Sequence, residues 1–382
     1  MPLLSEPNQQ LRIGFFTSTP LSVEEGSGTY VGISTLAEAL RKLGVTVEIV
    51  APLRLGPTPT LGRILFNEAL RFRQRGEFHI TVGFDLDGYR LGGRTGTPHI
   101  AAIKGVIADE MLREKGFTRL SMALQAQYEA LHVQRADGVV TTSRYSAQRI
   151  EQFYRPGKPV SMVPELIDLR RWRDLFARAG ADRRPGKFVV LSVCRLYRRK
   201  RVDLLLAAAS RLHLRIPGLE VRIAGDGPQR AALERQWRSL KLGDAVRWLG
   251  HLSPEALAHE YRNADVFCLP SVQEGFGIVL LEAMVAETPV VAARAAAVPE
   301  VIPQGLLAEP ESAEDLAAAI ETLHGNPGLR ASLAAQGASW VENFDAPRVA
   351  RRFLEEIHVL IGEVRPHGEF KAGSGSVSTA HS

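Results

Sequence analysis

Residues 266–286 have the sequence VFCLPSVQEGFGIVLLEAMVA. A short apolar run over 266–269 is followed by a polar turn with two glycines, and then by an apolar stretch that predicts a helix over 278–286. A buried strand that leads through a glycine-rich turn into a helix is typical of parallel α/β sheets. Ligands of such sheets bind beyond the carboxyl ends of the strands, so we expect this turn to lie in a binding site.

The same alternation of strand and helix continues along the 382 residues. It predicts an α/β fold of two Rossmann-like domains that face each other across a cleft. The first strand series is predicted at 12–17, 46–51, 80–83, 99–103, 138–142 and 160–163, and the second at 187–193, 219–224, 246–249, 266–269 and 289–293. The predicted parts are an N-terminal domain over 1–168, a linker over 169–186, a second domain over 187–346, a final helix over 347–362 and a disordered tail over 366–382.

The composition is that of an ordinary globular protein, with 45% hydrophobic and 23% charged residues. No apolar run approaches the ~20 residues of a membrane-spanning helix, and residues 1–10 lack the apolar core of a signal peptide, which predicts a cytoplasmic protein. Cys194 and Cys268 lie in apolar stretches and are predicted to be buried free thiols. The net charge of +5 favours an anionic partner or is simply a solvated basic surface, and it is too small to indicate nucleic-acid binding.

Two carboxylates stand out in the quoted stretch. Glu282 lies within an apolar helix, where an unpaired charge is costly, so it needs partners. Ribose hydroxyls would supply hydrogen-bond donors, and the alternative is a neighbouring arginine or backbone group. Glu274, at the turn, is placed to accept hydrogen bonds from a sugar.

A basic loop follows the first strand of the second domain, where residues 195–201 read RLYRRKR. Five cations near the start of a helix are unfavourable unless an anion neutralises them, because the helix dipole is already positive there. We predict that Arg195 and Lys200 bind a diphosphate, and that Arg198, Arg199 and Arg201 extend into solvent.

Glycines also precede the first helix, in the loop EEGSGTYVG over 24–32. Backbone N–H groups could approach a phosphate there at Gly28, although a plain loop would use the same glycines. The spacing fails the dinucleotide fingerprint, which disfavours a nicotinamide-dependent oxidoreductase.

These features occur in the order of a known family. Residues 274–282 resemble the E-x7-E motif of the GT-B fold retaining glycosyltransferases, in particular glycosyltransferase family 4. Arg195 with Lys200 resembles the diphosphate-binding loop of that family, and residues 224–228 resemble its G-x-G-P turn. Residues 288–300 are similar to the strand and turn after the motif.

The resemblance implies a GT-B fold whose final helix crosses back onto the first domain. It implies that Arg195 and Lys200 stabilise the diphosphate, Glu274 binds the donor sugar and Glu282 binds the ribose. The first domain would hold the acceptor. The other donor-binding residues that it implies are Gly28, Gly275, Phe276, Gly277 and Ile278.

The implied activity is transfer of a hexose, with retention, from a UDP- or GDP-linked sugar to a sugar, lipid-linked or small-molecule acceptor. The nucleotide-sugar is a co-substrate, and neither a metal ion nor a permanently bound cofactor is expected. The alternatives are a non-catalytic GT-B protein that binds sugar nucleotides, a GT-B epimerase or phosphorylase, and the disfavoured oxidoreductase.

Three segments depart from the family pattern. Lys104 replaces a histidine and either binds an anionic acceptor or pairs with Asp109 or Glu110. Residues 164–168, PELID, replace a P-N-G-x-D turn and leave the hinge geometry open. Alanines at 295–297 replace a glycine pair, which disfavours a loop conformation with positive φ.

Asp85 and Asp87 form the D-x-D pattern that binds metal in the other major glycosyltransferase fold. They are expected to project into the cleft, where they either contact acceptor hydroxyls, have a surface or turn role, or bind a metal ion. A basic amphipathic pattern over 61–75 either contacts an anionic membrane at its inner face or packs its apolar side on the sheet.

Overall fold

The structure is a computed structural model that describes residues 10–19, 28–52, 59–72, 78–93, 96–180, 182 and 184–364. The predicted tail over 366–382 and glycine-loop residues 24–27 lie outside these ranges. The strands are β1 (Arg12–Phe16), β2 (Thr46–Val50), β3 (Ile80–Phe84), β4 (His99–Ile103), β5 (Gly138–Thr141), β6 (Val160–Met162), β7 (Phe188–Val193), β8 (Leu219–Ala224), β9 (Val246–Gly250), β10 (Val266–Leu269), β11 (Val290–Ala293) and β12 (Leu306–Ala308). The helices are α1 (Gly28–Lys42), α2 (Pro59–Leu70), α3 (Ile107–Glu110), α4 (Gly116–Arg135), α5 (Arg144–Tyr154), α6 (Leu169–Arg178), α7 (Val202–Leu212), α8 (Arg230–Ser239), α9 (Pro254–Arg262), α10 (Ile278–Val285), α11 (Val298–Val301), α12 (Ala313–Gly325), α13 (Pro327–Trp340) and α14 (Ala346–Val364).

The strands form two parallel sheets, each of six strands. The first has the order β2-β1-β3-β4-β5-β6 and the second the order β12-β11-β10-β7-β8-β9. Helices separate successive strands except β3 and β4, and they cover the sheets as parallel strands require. The predicted fold class is confirmed. We did not predict β12, a three-residue edge strand that is too short to show a hydrophobic period.

The segment predicted as a linker contains α6. The Asp168 side chain caps this helix by accepting a hydrogen bond from the Arg171 amide at 2.9 Å. Leu169 and Phe176 are buried in the hydrophobic core of the second half. The connection between the sheets is therefore largely a packed helix.

The chain crosses between the two halves at two adjacent places. The Ile167 amide donates to the Phe344 carbonyl at 3.0 Å, and the Ala346 amide donates to the Ile167 carbonyl at 2.9 Å. The hinge, whose geometry the PELID sequence did not determine, therefore consists of two chain segments joined by backbone hydrogen bonds.

The last helix, α14, returns to the first sheet. Val349, Phe353 and Ile357 on α14 are buried in the same core as Phe15 of β1. The rings of Phe15 and Phe353 meet edge to face with centroids 6.3 Å apart. The crossover implied by the resemblance is present.

Both cysteines are buried free thiols, as predicted. Burial raises the pKa of the Cys194 thiol to about 12 and the pKa of the Cys268 thiol further. Neither thiol is therefore reactive at neutral pH.

The basic amphipathic pattern corresponds to α2, but its packing is not the predicted one. Leu65 is 54% exposed and Phe72, just after the helix, is 77% exposed, so these predicted positions do not pack on the sheet, whereas Leu70 of the same helix is buried against Phe16 of β1. Residues 73–75 of the pattern lie outside the described ranges. Arg63 instead turns inward and lies 3.3 Å from the carboxylate of Asp87. Within the described ranges, no helix is both long and apolar enough to span a bilayer.

Candidate active site in the interdomain cleft

The turn quoted first, residues 270–277, leaves β10 and enters α10. Gly277 caps the helix with φ 94°, a conformation that favours glycine. A Cβ on Gly275 would lie 2.5 Å from the Lys104 carbonyl oxygen, so only glycine allows the two halves to approach here. The Phe276 ring is buried beside Phe344, which leaves its backbone amide as the group able to bind a ligand.

Lys200 and Glu274, predicted from separate motifs, meet in the structure. The ammonium Nζ lies 2.6 Å from Glu274 Oε1, and the two side chains are only 15% and 8% exposed. Each ion neutralises the other in a site shielded from water, so the pair is stronger than an exposed one. A diphosphate that enters the cleft would share the Lys200 ammonium with the Glu274 carboxylate.

Arg195 is exposed at the same strand exit, with its guanidinium 5.9 Å from the Tyr197 ring centre. The G-x-G-P turn supports this exit. A Cβ on Gly225 would lie 2.1 Å from the Cys194 carbonyl oxygen, and one on Gly227 would lie 2.8 Å from the Leu196 amide. The two glycines therefore allow the turn to pack directly on the backbone that carries Arg195.

Glu282 is buried, and its partner is neither an arginine nor a backbone group, contrary to the predicted alternative. The Tyr261 hydroxyl donates to Glu282 Oε2 at 2.9 Å. Burial raises the pKa of Glu282 to about 7, and the Tyr261 hydrogen bond offsets only part of this rise. Its contact with a ribose stays a prediction.

Two of the arginines predicted to extend into solvent do not do so. Arg199 is largely buried and lies 3.0 Å from Glu110 and 3.3 Å from Glu114, both in the first half. These carboxylates raise the Arg199 pKa although burial opposes it. Arg201 is also ion-paired, whereas Arg198 is exposed as predicted. The sequence could not show that acidic residues of the other half lie opposite this loop.

Lys104 pairs with a residue that we did not predict. Its Nζ lies 2.9 Å from Glu165 Oε2, and the side chains are 10% and 4% exposed, so the predicted partners Asp109 and Glu110 are wrong. Glu165 belongs to the PELID segment, and the two departures from the family pattern thus contact each other. A Cβ on Gly32 would lie 2.6 Å from the same Glu165 oxygen.

A charge reversal tests this pair. Lys104→Glu and Glu165→Lys are each expected to lower the free energy of unfolding by about 3 kcal/mol, because each leaves two buried like charges. The double variant should recover most of the loss, as measured by urea unfolding. The same reversal of the exposed pair Arg294 and Glu309 should change stability by less than about 1 kcal/mol. Additive losses in the buried double variant would contradict the pairing.

Asp87 does not project into the cleft, which corrects the prediction. It is fully buried and accepts hydrogen bonds from the Ser18 amide at 2.6 Å and from Asn67 Nδ2 at 2.8 Å. The acceptor contact predicted for Asp87 is wrong, and the turn role agrees with the structure.

Asp85 accepts a hydrogen bond from the Lys104 amide at 2.9 Å, and burial raises its pKa to about 6. Among the described residues, no group of three or more His, Cys, Asp or Glu is placed to hold a metal ion.

The glycine-rich start of α1 faces the start of α10. A Cβ on Gly28 would lie 3.8 Å from Ile278 Cδ1. On the far side of the turn, the Ala297 amide donates to the Glu274 carbonyl at 3.3 Å. Ala296 has φ 51°, so the left-handed conformation is kept although alanine disfavours it by about 1–2 kcal/mol.

Several contacts around the site were not predicted from the sequence. Tyr261 and Glu165 are the partners of Glu282 and Lys104. No local pattern marks Tyr261, and the PELID segment marked Glu165 only as a departure from the family pattern. Thr142 and Ser143 contact the turn through their hydroxyls. Their position at the end of β5 was a usable signal, since the carboxyl ends of parallel strands meet at one edge.

The arrangement defines a GT-B fold, and solved structures agree. Sucrose-phosphate synthase (tll1590) from Thermosynechococcus elongatus superimposes with a TM-score of 0.80 at 21% identity, covering 93% of this chain and 100% of that chain. Alr3699/HepE from Anabaena, in complex with UDP and glucose, has a TM-score of 0.65 at 18% identity over 92% and 100% of the two chains. At these identities the likeness concerns the fold alone.

The sequence of the second half is similar to a known family. Residues 176–340 match the model of the family described as glycosyl transferases group 1. D-inositol 3-phosphate glycosyltransferase of Rhodococcus erythropolis is 34% identical over 237 residues, which are 58% of this chain and 54% of the relative. The chain thus spans about half the length of that relative. The resemblance to GT-B glycosyltransferases is confirmed, and the ligand roles of the E-x7-E residues stay predictions.

Proposed function

We propose that this protein is a retaining hexosyltransferase that uses a nucleotide-diphosphate sugar without a metal ion or a bound cofactor. The proposal rests mainly on the contact between Lys200 Nζ and Glu274 Oε1, which lie 2.6 Å apart beside the start of α10. It brings a cation suited to phosphate and a carboxylate suited to sugar hydroxyls into one shielded site. The family of residues 176–340 supports the same reaction class.

The reaction breaks the bond between the anomeric carbon and a diphosphate oxygen. Negative charge grows on the departing oxygen, and Lys200 and Arg195 stabilise it together with the N–H groups at the start of α10. The acceptor hydroxyl attacks from the face that the diphosphate leaves, and its proton passes to the departing phosphate oxygen. The configuration at the anomeric carbon is then retained.

The donor lies mainly on the second half in this proposal, with one contact from Gly28 of the first half. Glu282 binds the ribose and Glu274 binds hydroxyls of the hexose. The base is uracil or guanine, and the UDP complex of the structurally similar HepE makes UDP a first probe. The backbone groups that contact the sugar and diphosphate belong to Gly28, Gly275, Phe276, Gly277 and Ile278.

The acceptor lies on the first half, beside Lys104 and Asp85. Because Glu165 neutralises Lys104, the site presents no unpaired cation from this pair to the acceptor. Hydroxyl groups of a sugar, a lipid-linked sugar or a small molecule therefore fit better than a bare anion. A lipid-linked acceptor would place the protein at the inner face of a membrane, next to the exposed apolar residues of α2.

Thermal stability of the purified protein against UDP, GDP, ADP, NAD and NADP tests the proposal. A ligand at about 100 times its Kd adds about 2.7 kcal/mol to the free energy of unfolding. We expect a shift in Tm with one nucleoside diphosphate, and its loss in Lys200→Ala. Lys187→Ala is the matched control, because this exposed lysine precedes β7 at the opposite edge of the sheet.

The other outcomes each contradict part of the proposal. A shift with NAD or NADP alone would indicate the oxidoreductase. A nucleotide shift without turnover over a panel of acceptors would indicate a binding protein that has lost catalysis. If none of the five compounds shifts Tm, the proposed nucleotide-sugar site itself is contradicted.

A further inference from the structure

One carbonyl group of the donor turn, residues 274–277, accepts hydrogen bonds from the other half of the molecule. Thr142 Oγ1 donates to the Gly275 carbonyl oxygen at 3.0 Å, and Ser143 Oγ donates to it at 2.9 Å. Ser146 Oγ lies within 3.3 Å of the same oxygen. All three hydroxyl-bearing side chains are buried. A carbonyl oxygen has two lone pairs, so these hydroxyls saturate it.

The hydroxyl of Ser143 has partners on both sides. Ser143 is the N-cap of α5, and its oxygen accepts a hydrogen bond from the Ser146 amide at 3.0 Å. The cap uses a lone pair of the oxygen and leaves its one proton for the Gly275 carbonyl at 2.9 Å or for Ser146 Oγ at 3.0 Å, and Ser146 Oγ itself reaches the same carbonyl. The helix end and the donor turn are therefore joined through one side chain.

A second contact crosses the cleft in the opposite direction. The carboxylate of Glu300, on α11, accepts hydrogen bonds from the amides of Arg144 at 2.9 Å and Tyr145 at 2.8 Å. These amides belong to the first turn of α5, whose N–H groups have no partners within the helix. Glu300 thus binds the same helix end that binds Gly275.

The hydrogen bonds to the Gly275 carbonyl fix the position of more than one atom of the turn. The Gly275 carbonyl and the Phe276 N–H belong to one planar peptide group, so holding the oxygen sets the direction of the N–H. The same turn touches the Lys104 carbonyl, where only glycine fits. These contacts exist only while the two halves are together.

We propose that Thr142, Ser143 and Glu300 are positioning residues that hold the donor turn, residues 274–277, in its working conformation when the halves meet. This proposal rests on the proposed function for its catalytic consequence. None of the three touches the reacting atoms. They act through the peptide group between Gly275 and Phe276.

Hydrogen exchange in the ligand-free protein tests the positioning directly. Thr142→Val removes the hydroxyl but keeps the volume, and it is expected to raise amide exchange over residues 274–280 by about fivefold, the effect of one hydrogen bond. Thr142→Ser keeps a hydroxyl and should exchange as the wild type does. Glu300→Ala should raise exchange over 144–146 as well. Glu309→Ala, an exposed glutamate of the same half, is the matched control.

Turnover is the second measurement, because a merely structural role would leave it unchanged. Thr142→Val should lower kcat by about fivefold and leave the Kd of the nucleoside diphosphate within about twofold, because most of the proposed donor contacts belong to the second half. Unchanged exchange over 274–280 in Thr142→Val would overturn the proposal, as would an unchanged kcat. Because exchange is measured without ligand, failure of the nucleotide-sugar assignment would leave that result intact and would be seen separately.

Discussion

Lys200→Ala is expected to lower kcat by about 10²–10³-fold while the protein stays folded. The reason is the position of its ammonium, 2.6 Å from Glu274 and beside the start of α10, where the leaving diphosphate gains charge. Neutral alanine provides no compensation for that charge. The loss should appear in kcat more than in KM, because the charge is largest in the transition state.

The measurement is steady-state turnover of the nucleotide-sugar, with circular dichroism to confirm that the variant is folded. Lys187→Ala should retain wild-type kcat. Lys200→Arg should recover only part of the activity, because a planar guanidinium does not replace a compact ammonium in a shielded pocket. Wild-type turnover in Lys200→Ala would contradict the assignment of this lysine to the reaction.

The second large effect is expected at Glu282. Glu282→Ala should weaken nucleoside diphosphate binding by about 10–100-fold, since hydrogen bonds to a charged group contribute about 1.5–3 kcal/mol. In the wild type the affinity should rise as the pH rises through about 7, the pKa of the buried carboxyl, because the ionised form accepts the ribose hydroxyls more strongly. Isothermal titration over this pH range measures both effects.

Glu282→Gln separates charge from shape. It should bind more weakly than the wild type above neutral pH and show no pH dependence of affinity near pH 7. Glu309→Gln, at an exposed position, should behave as the wild type does. A pH dependence that persists unchanged in Glu282→Gln would assign the titration to another group and contradict the ribose contact.

The same carboxyl makes folding pH-dependent. Its pKa rises from an ordinary 4.5 in the unfolded chain to about 7 in the fold, so the native state holds the proton more tightly. The contribution of Glu282 to the free energy of unfolding therefore falls as the pH rises from about 4.5 to about 7. Relative to the wild type, Glu282→Gln should become more stable across that range, as urea unfolding would show.

The sequence determined the elements and the turns of this protein. Strands such as Val266–Leu269 and Leu219–Ala224 have the predicted ends, because a continuous apolar run between turn residues marks a buried parallel strand locally. The glycines at 275 and 277 likewise marked a turn whose backbone had to bend and approach another chain segment. Such features depend on neighbours along the chain, which the sequence displays.

Only the tertiary structure decided which charges meet. Lys104 pairs with Glu165 and Lys200 pairs with Glu274, although 61 and 74 residues separate the partners. Asp87, predicted beside Asp85 as an acceptor ligand, became a buried turn residue because Ser18 and Asn67 reach it from other elements. Ion pairs and hydrogen bonds act over a few ångströms in space, and the packing of two sheets sets that distance, which spacing along the chain does not encode.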